Sequence, residues 1–263
     1  MAPSNYNDRR HSPHQEWDAA VLDALAENDF YASYKRRIRE LLTPQPGGWY
    51  LDVGAGSGQA AMQLSAEYGV NVVALDRSSR MGRLVASRGL PHVVVADAHR
   101  LPFAAGFFDG VSADRVLQHL DDPETALDEL VRVLRAGGRL VLADPDYDLQ
   151  ALEIEDQHLA RRVLRYRADV MVRNGACAHR QAGRLIDRRF EDVAVEARTI
   201  VVRRPDALDN VLMLRSWAHH AVGRGHLPLS EADRFVRQFD QSVATGKLTY
   251  VLTFLLTSGA MPT

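Results

Sequence analysis

The sequence predicts an α/β fold in which a mostly parallel sheet carries helices on both faces. Short apolar runs alternate with amphipathic segments between residues 49 and 144, which is the pattern of repeated strand–helix units. The runs are nearly continuous and rich in Val and Leu, as expected for strands buried on both faces. The turn "GAGSG" directly follows the first run, at the edge where such sheets bind ligands.

The residues ahead of the first strand predict an arm followed by helices. The opening ~15 residues are polar and rich in Pro, Asn, Arg and His, which favours a loose arm. Apolar positions between Trp17 and Leu42 predict one or two amphipathic helices that end before "TPQPGG". We therefore expect residues 1–42 to form an N-terminal arm and cap helices, and residues 43–263 to form the main domain.

The central part of the chain predicts five strands and three helices. The expected strands are 49–54, 71–76, 92–97, 107–113 and 139–144, and the expected helices are 60–68, 79–89 and 121–138. In the last helix, Asp122 suits the N-cap, Pro123 suits the first turn and Gly137 suits the end. The strands end in Gly54 or in an aspartate, and these residues should therefore line one edge of the sheet.

The second half of the chain predicts a cap and two more strands. Residues 147–173 are charged and helical in pattern, and residues 191–202 and 248–259 are rich in β-forming residues. We expect two cap segments, at about 147–175 and 205–230.

The composition excludes several classes of function. The chain has 263 residues, a formal net charge of -2 and one cysteine, Cys177. It therefore offers no summed positive field for nucleic acid, no disulfide framework and no cysteine-based zinc site. No apolar run approaches the ~20 residues of a membrane span, and the first residues lack the apolar core of a secretory signal. We expect a cytoplasmic protein, a monomer or homodimer, that binds a small molecule.

The spacing of the glycines and the acid before them favours one class of cofactor. Gly54, Gly56 and Gly58 alternate, one residue short of the dinucleotide pattern G-x-G-x-x-G. An acid on the first strand, Asp52, would repel a pyrophosphate but suits a ligand with an ammonium and a sulfonium. Asp76, at the end of the second strand, would suit the ribose diol of a dinucleotide or of a sulfonium cofactor equally well.

Three quoted segments carry a resemblance to a known family. They are "LDVGAGSG", "VVALDRSS" and "VVVADAHRLPFAAGFFDGVSADRVLQHLDDPETALDELVRVLRAGGRLVLADP". Together they resemble the class I S-adenosylmethionine (SAM)-dependent methyltransferases, in their UbiE-like small-molecule branch. The resemblance implies a Rossmann-like, doubly wound sheet of seven strands in the order 3-2-1-4-5-7-6, with the last strand antiparallel and helical caps inserted.

The resemblance also implies cofactor contacts at particular positions. They are Asp52, Gly54, Gly56 and Gly58 at the methionine part, Asp76 on the ribose, Arg77 against the adenine, Asp97 and Ala98 at the adenine edge, and Arg115 near the methionine amino group. Arg115 departs from the family in being large and charged, so its side chain is expected to have a further task.

The candidate catalytic residues are His119 and Asp144. A base is needed only where the acceptor carries a proton, and the ordinary pKa of a histidine suits that role. Asp144 could orient or supplement the histidine. Structural roles stay open for both, since His119 could bond a neighbouring backbone group and Asp144 could cap its strand.

Other polar and aromatic clusters have two interpretations each. His219, His220 and His226 lack an accompanying carboxylate cluster, so we expect no metal. The arginines could clamp an acidic substrate, although a salt-bridged surface is favoured, and the aromatic residues could wall a ligand or fill the core. The arginines are Arg161, Arg162, Arg165, Arg167 and Arg173, and the aromatic residues are Tyr6, Tyr31, Tyr34 and Trp217.

The expected function is SAM-dependent transfer of a methyl group to an O, N or C atom of a small metabolite, in secondary metabolism. Two alternatives stay open. The same SAM site could promote a cyclisation or decarboxylation without methyl transfer, since a fold does not fix its chemistry. The chain could also be a SAM-binding subunit without catalysis.

Overall fold

A seven-stranded sheet forms the centre of the computed structural model, which describes residues 19–204, 213 and 215–263. The strands are β1 Trp49–Val53, β2 Asn71–Asp76, β3 His92–Val95, β4 Phe108–Asp114, β5 Leu134–Leu152, β6 Glu191–Val202 and β7 Tyr250–Ala260. Their order is β3-β2-β1-β4-β5-β7-β6. Strands β1 to β5 pair in parallel, and β7 is antiparallel to both neighbours. The expected order and the antiparallel last strand are confirmed.

Helices cover both faces of this sheet. They are α1 Ala19–Glu27, α2 Asp29–Leu41, α3 Gln59–Tyr68, α4 Ser79–Ser87, α5 Pro123–Val133, α6 Gln157–Tyr166, α7 Gln181–Asp187, α8 Ser216–Gly223 and α9 Leu229–Ala244. Alternate residues of β2 join different apolar clusters, Val72 and Ala74 on one face and Val73 and Leu75 on the other. Because successive side chains of a strand point to opposite faces, the sheet is buried on both sides, as predicted.

The junction between α5 and β5 differs from the prediction. Helix α5 ends at Val133 and not at Gly137. Leu134 is buried and pairs with Phe108 in the sheet, so the chain leaves the helix early to fill that position. Gly137 then takes a φ of 71°, and the pairing with β4 resumes at Arg139. The glycine therefore turns the chain within an irregular strand.

The helical start predicted at residue 147 is also wrong. Residues 147–152 continue β5 because β7 pairs with this stretch, with Leu152 opposite Tyr250. Helix α6 begins only at Gln157, where the Asp156 side chain caps the backbone N–H of Leu159 at 2.9 Å. The segment 147–175, which was expected to form the first cap, therefore contains a strand extension, α6 and a five-residue π-helical turn, Arg167–Met171.

The predicted arm and parts of the predicted caps lie outside the described residues. Residues 1–18, with Tyr6 and Trp17, and residues 205–212 and 214 belong to that group. In the rest of the chain, α2 packs on the sheet through buried Tyr31 and Tyr34, and α8 packs through buried Trp217. Across the described part of the chain, every helix is too short or too polar to cross a membrane.

Candidate cofactor and acceptor site

Two positions of the glycine-rich turn after β1 require glycine. Gly54 has a φ of 70°, and a Cβ there would lie 2.5 Å from Cγ2 of Val116. Gly58 has a φ of 78°, and its Cβ would lie 2.8 Å from the side chain of Val85. Both the left-handed backbone and the close neighbours exclude larger residues. The turn therefore brings backbone close to the edge of the sheet.

A cleft of about 410 Å³ lies beside this turn. The turn contributes Gly54 and Gly56 to its lining, the ends of β1 and β4 contribute Asp52 and Asp114, and α2 contributes Lys35. Leu22 and Arg115 also line it. The cleft thus lies at the carboxyl ends of the parallel strands, where ligands bind in open α/β sheets, and the N-terminal helices cover part of it.

Asp52 is a buried acid at the base of the cleft. Its Oδ1 accepts a hydrogen bond from Oγ of Ser112 at 3.2 Å. Burial raises the pKa of Asp52 to about 7, with the ammonium of Lys35 opposing the rise and the Asp114 carboxylate adding to it. A bound cation would favour the ionised form of this carboxyl. The site therefore fits a ligand with positive charge at this point.

Lys35 and Tyr34 hold the second acid of the cleft. The Tyr34 hydroxyl donates to Asp114, with its oxygen 3.0 and 3.1 Å from the two carboxylate oxygens. Nζ of Lys35 lies 3.6 Å from Oδ2. Lys35 belongs to no motif, and its contact with Asp114 depends on how α2 packs. Ser112 lies within the third quoted segment but was not predicted as a site residue, and the pairing of β1 with β4 places it opposite Asp52.

The expected ribose acid, Asp76, is held by the turn itself. Its Oδ2 accepts the backbone N–H of Gly56 at 2.9 Å, and its Oδ1 accepts the N–H of Ser78 at 2.9 Å. The carboxylate therefore faces the glycine-rich turn. Arg77, the next residue, is exposed.

The third acid, Asp97, is exposed at the end of the loop after β3. Its Oδ1 accepts the backbone N–H of His99 at 2.9 Å and lies 2.6 Å from Nδ1 of that histidine. The backbone hydrogen bond from His99 lowers the pKa of Asp97 against the effect of burial, so the residue is anionic at neutral pH. Ala98, predicted to meet the adenine, is buried.

Arg115 follows β4 in an unusual backbone conformation. Its φ is 57°, and its N–H donates to the carbonyl of Ala143 at 2.7 Å. The guanidinium lies over the ring of Tyr31, 5.5 Å from the centroid. Nε is buried and has no hydrogen-bond partner among the described residues. The side chain therefore points into the protein and not into solvent.

The two candidate catalytic residues lie in different environments. His119 is an exposed residue whose Nε2 lies 2.9 Å from Nε2 of Gln118. Local desolvation, together with the positive charge of Arg115, lowers the pKa of His119 to about 4. Asp144 is fully buried and accepts from Nε2 of Gln181 at 2.8 Å. Burial raises the pKa of Asp144 well above its usual range. Both residues therefore favour their neutral forms.

The other predicted clusters are dispersed. His219 lies 3.1 Å from Asp233 at the surface, whereas Nδ1 of His220 lies 2.7 Å from the hydroxyl of Tyr166. Cys177 is buried, as expected of a small core residue. Among the described residues, three other side chains lie close enough together to share a metal ion: Asp146, Asp148 and His179. Each of them already takes part in a hydrogen bond or an ion pair within the protein.

Comparison with known proteins identifies the class to which this geometry belongs. The sheet order and the glycine-rich turn define a Rossmann-like domain of the class I SAM-dependent methyltransferase type. Residues 51–142 match the model of the family described as "Methyltransferase domain".

Two curated relatives illustrate the similarity. An uncharacterised 37.1 kDa protein of transposon TN4556 from Streptomyces fradiae is 36% identical over 225 residues, which cover 83% of this chain and 65% of that protein. An O-methyltransferase of Aspergillus nomiae is 38% identical over 116 residues, 41% of this chain and 52% of that protein. The chain thus spans about half to two thirds of the length of these relatives.

Two solved structures share the fold. Phosphoethanolamine N-methyltransferase 2 of Haemonchus contortus, in complex with S-adenosylhomocysteine, has a TM-score of 0.60 at 16% identity, over 96% of this chain and 58% of that chain. The [4+2]-cyclase SpnF has a TM-score of 0.60 at 18% identity, over 92% of each chain. The match of residues 51–142 to a methyltransferase model and the complexes of the Haemonchus contortus enzyme with S-adenosylhomocysteine and with SAM support SAM as the cofactor.

Proposed function

We propose that the protein is a SAM-dependent methyltransferase that acts on an O, N or C atom of a small metabolite. The observation that carries this proposal is the buried Asp52 at the base of a cleft beside the glycine-rich turn. When bound, the cofactor supplies an electrophilic methyl group on a positively charged sulfur. The family match and the O-methyltransferase relative support this assignment.

The cofactor contacts follow the positions of the predicted residues. Asp52 and the backbone of Gly54 and Gly56 would hold the methionine part, with Gly58 shaping the turn. Asp76 would accept from the ribose and Asp97 from the adenine amine. The remaining predicted contacts are Arg77, Ala98 and Arg115. The N–H of Gly56 already bonds Asp76, so a ribose diol would share this carboxylate with the turn.

The chain's own contribution to the reaction would be orientation and exclusion of water. Placing two reactants in line supplies about 7–11 kcal/mol toward the barrier. Residues 1–42 and the segments at about 147–175 and 205–230 would form the cap over the acceptor. His119, with a pKa of about 4, is a weak base. We therefore propose that His119 orients the acceptor, or takes a proton from an acceptor that is itself acidic. We also propose that Asp144 supports the acceptor side of the site through a hydrogen bond.

Binding measurements with three adenosine-containing ligands test the cofactor assignment. Isothermal titration should show binding of SAM and of S-adenosylhomocysteine, with no binding of NAD. The double variant Asp76→Asn/Asp97→Asn should lose at least tenfold in affinity for both SAM and S-adenosylhomocysteine. Asp187→Asn, an exposed acid on α7 outside the cleft lining, serves as the control. Tight NAD binding with no response to SAM would overturn the proposal.

A second reaction class shares the same site. The cyclase SpnF has this fold, so the chain could promote ring closure without methyl transfer. Mass spectrometry separates the two cases, since methyl transfer releases one S-adenosylhomocysteine for each product.

We place the protein in the cytoplasm and in secondary metabolism as part of the same proposal.

A further inference from the structure

One arginine of the cap is buried without an acidic partner. Arg167, at the start of the π-helical turn, is 7% exposed. Its guanidinium carbon lies 4.3 Å from the ring centroid of Tyr147 and 3.9 Å from that of Trp217. Nη1 donates to the hydroxyl of Tyr250 at 2.9 Å. Within residues 19–204, 213 and 215–263, no carboxylate lies within ion-pair distance of it.

Neighbouring arginines of the same segment do have acidic partners. Arg162 pairs with Glu231, and Arg165 pairs with Asp148 and Asp169. Arg173 pairs with Asp121. These pairs confirm the expectation of a salt-bridged surface for three of the arginines. Arg161 is exposed and forms no ion pair among the described residues. Arg167 differs from all four, because its side chain turns inward and is held between aromatic rings.

A second guanidinium lies over a different aromatic ring of the same apolar cluster. Arg115 lies over Tyr31, and its Nε is buried without a partner among the described residues. Burial raises the pKa values of Tyr31 and Tyr147, and the positive charges of Arg115 and Arg167 both oppose this rise at each ring. Tyr31 and Tyr147 therefore lie within the electrostatic reach of both arginines.

The nearby acids do not balance these charges. Burial raises the pKa of Asp144, which favours its neutral form. Asp114 is already engaged by Lys35 and by the hydroxyl of Tyr34. A buried charge without a counter-ion is unfavourable. Arg167 thus carries a buried positive charge without a carboxylate partner among the described residues, and a bound anion would offset this charge.

We infer that the acceptor is an aromatic molecule with a carboxylate, and that the edge of the Arg167 guanidinium binds this carboxylate with help from Arg115. This inference rests on the proposed function. The aromatic side chains would contact the ring of the acceptor, and the forked guanidinium suits two carboxylate oxygens. A π-helical segment inside a protein frequently marks a functional position. Arg167 lies outside the lining of the cofactor cleft, whereas Arg115 belongs to it.

Matched probes test the charge requirement. Hydroxylated benzoates and naphthoates, each paired with its carboxamide, would be titrated into the wild-type protein saturated with S-adenosylhomocysteine. We expect carboxylates to bind at least tenfold more tightly than the paired amides. The inference fails if amides bind as tightly, or if S-adenosylhomocysteine binds and no carboxylate does. Absence of S-adenosylhomocysteine binding would instead refute the proposed function.

Variants locate the anion within the site. Arg167→Gln should remove the preference for carboxylates while leaving the affinity for S-adenosylhomocysteine within twofold, which also reports that the variant is folded. Arg167→Lys should retain part of the preference, because it keeps the charge and loses the fork. Equal loss of affinity for carboxylate and cofactor in both variants would show that Arg167 serves the fold or the cofactor's own carboxylate, and would overturn the inference.

Discussion

At the scale of single residues, Gly54 shows how the fold and the site depend on the same atoms. Replacing it by Ala combines a left-handed backbone, which costs about 1–2 kcal/mol, with overpacking against Val116, which costs about 1–3 kcal/mol more. Gly69 has a similar φ of 63° but open space around its Cβ position. We expect Gly54→Ala to lose about 2–5 kcal/mol in urea unfolding and Gly69→Ala about 1–2 kcal/mol. Equal losses would contradict the close approach to Val116.

Asp52 gives stability a pH dependence with a defined sign. Its pKa rises from 3.8 in the unfolded chain to about 7 in the fold. Below pH 3.8 both states are protonated, and between these values only the unfolded chain ionises, so stability is lost as the pH rises toward 7. Relative to Asp52→Asn, the wild type should lose about 4 kcal/mol between pH 3.5 and 8. Urea unfolding of both proteins across this range measures the difference, and a constant difference would contradict the raised pKa.

The sequence predicted one part of the site better than the other. Asp52, Asp76 and Asp97 could be placed near a common edge because parallel strands end together there, and glycine spacing marked the turn. Lys35 comes from a separate helix more than a dozen residues away from any motif. The sequence shows that it is a cation on an amphipathic helix, but its contact with Asp114 depends on how α2 crosses the sheet.

At the scale of elements, helix α1 is fixed to the glycine-rich turn by one ion pair. The Arg88 guanidinium holds the Asp23 carboxylate, with Nη2 2.5 Å from Oδ2, and also donates to the Ser57 carbonyl at 3.0 Å. We expect Arg88→Ala to weaken this docking by about 0.5–1 kcal/mol, since the pair is partly exposed. Hydrogen exchange of residues 19–27 should then be about two- to fivefold faster. Arg83→Ala, at an exposed position on α4, the helix that ends just before Arg88, should leave this exchange rate unchanged.

The segment after β5 shows where element prediction reached its limit. Charged residues at helical spacing follow residue 147, and the pattern alone favours a helix from that point. The strand continues to Leu152 because β7 offers a row of backbone partners. Such pairing is a tertiary effect over about 100 residues of sequence, as the pairing of Leu152 with Tyr250 shows. A helix was predicted in this segment, but it begins at Gln157 and not at residue 147, a difference of nearly three turns.

At the scale of the whole molecule, the strand order was the safest prediction. Alternating strands and helices require crossovers of one hand, and the resemblance supplied the reversed last pair. Both late runs, 191–202 and 248–259, became β6 and β7 with nearly the predicted bounds. The cap was harder to foresee, since its position depends on which apolar faces meet. Trp217 is an example, because its place in the sequence was compatible both with packing in the core and with lining a ligand site.

The cap and the sheet share one apolar core, so we expect them to unfold together. Trp217, Phe235 and Phe239 belong to the same cluster as Val72 and Val141 of the sheet. Unfolding of the cap alone would expose the sheet face beneath it to water, so independent unfolding of the cap is unfavourable. In a variant with the other two tryptophans replaced by Phe, fluorescence reports on Trp217 alone. Its urea transition should coincide with that of the far-ultraviolet circular dichroism, in midpoint and in slope. A Trp217 transition at a lower urea concentration would show instead that the cap opens as an independent unit.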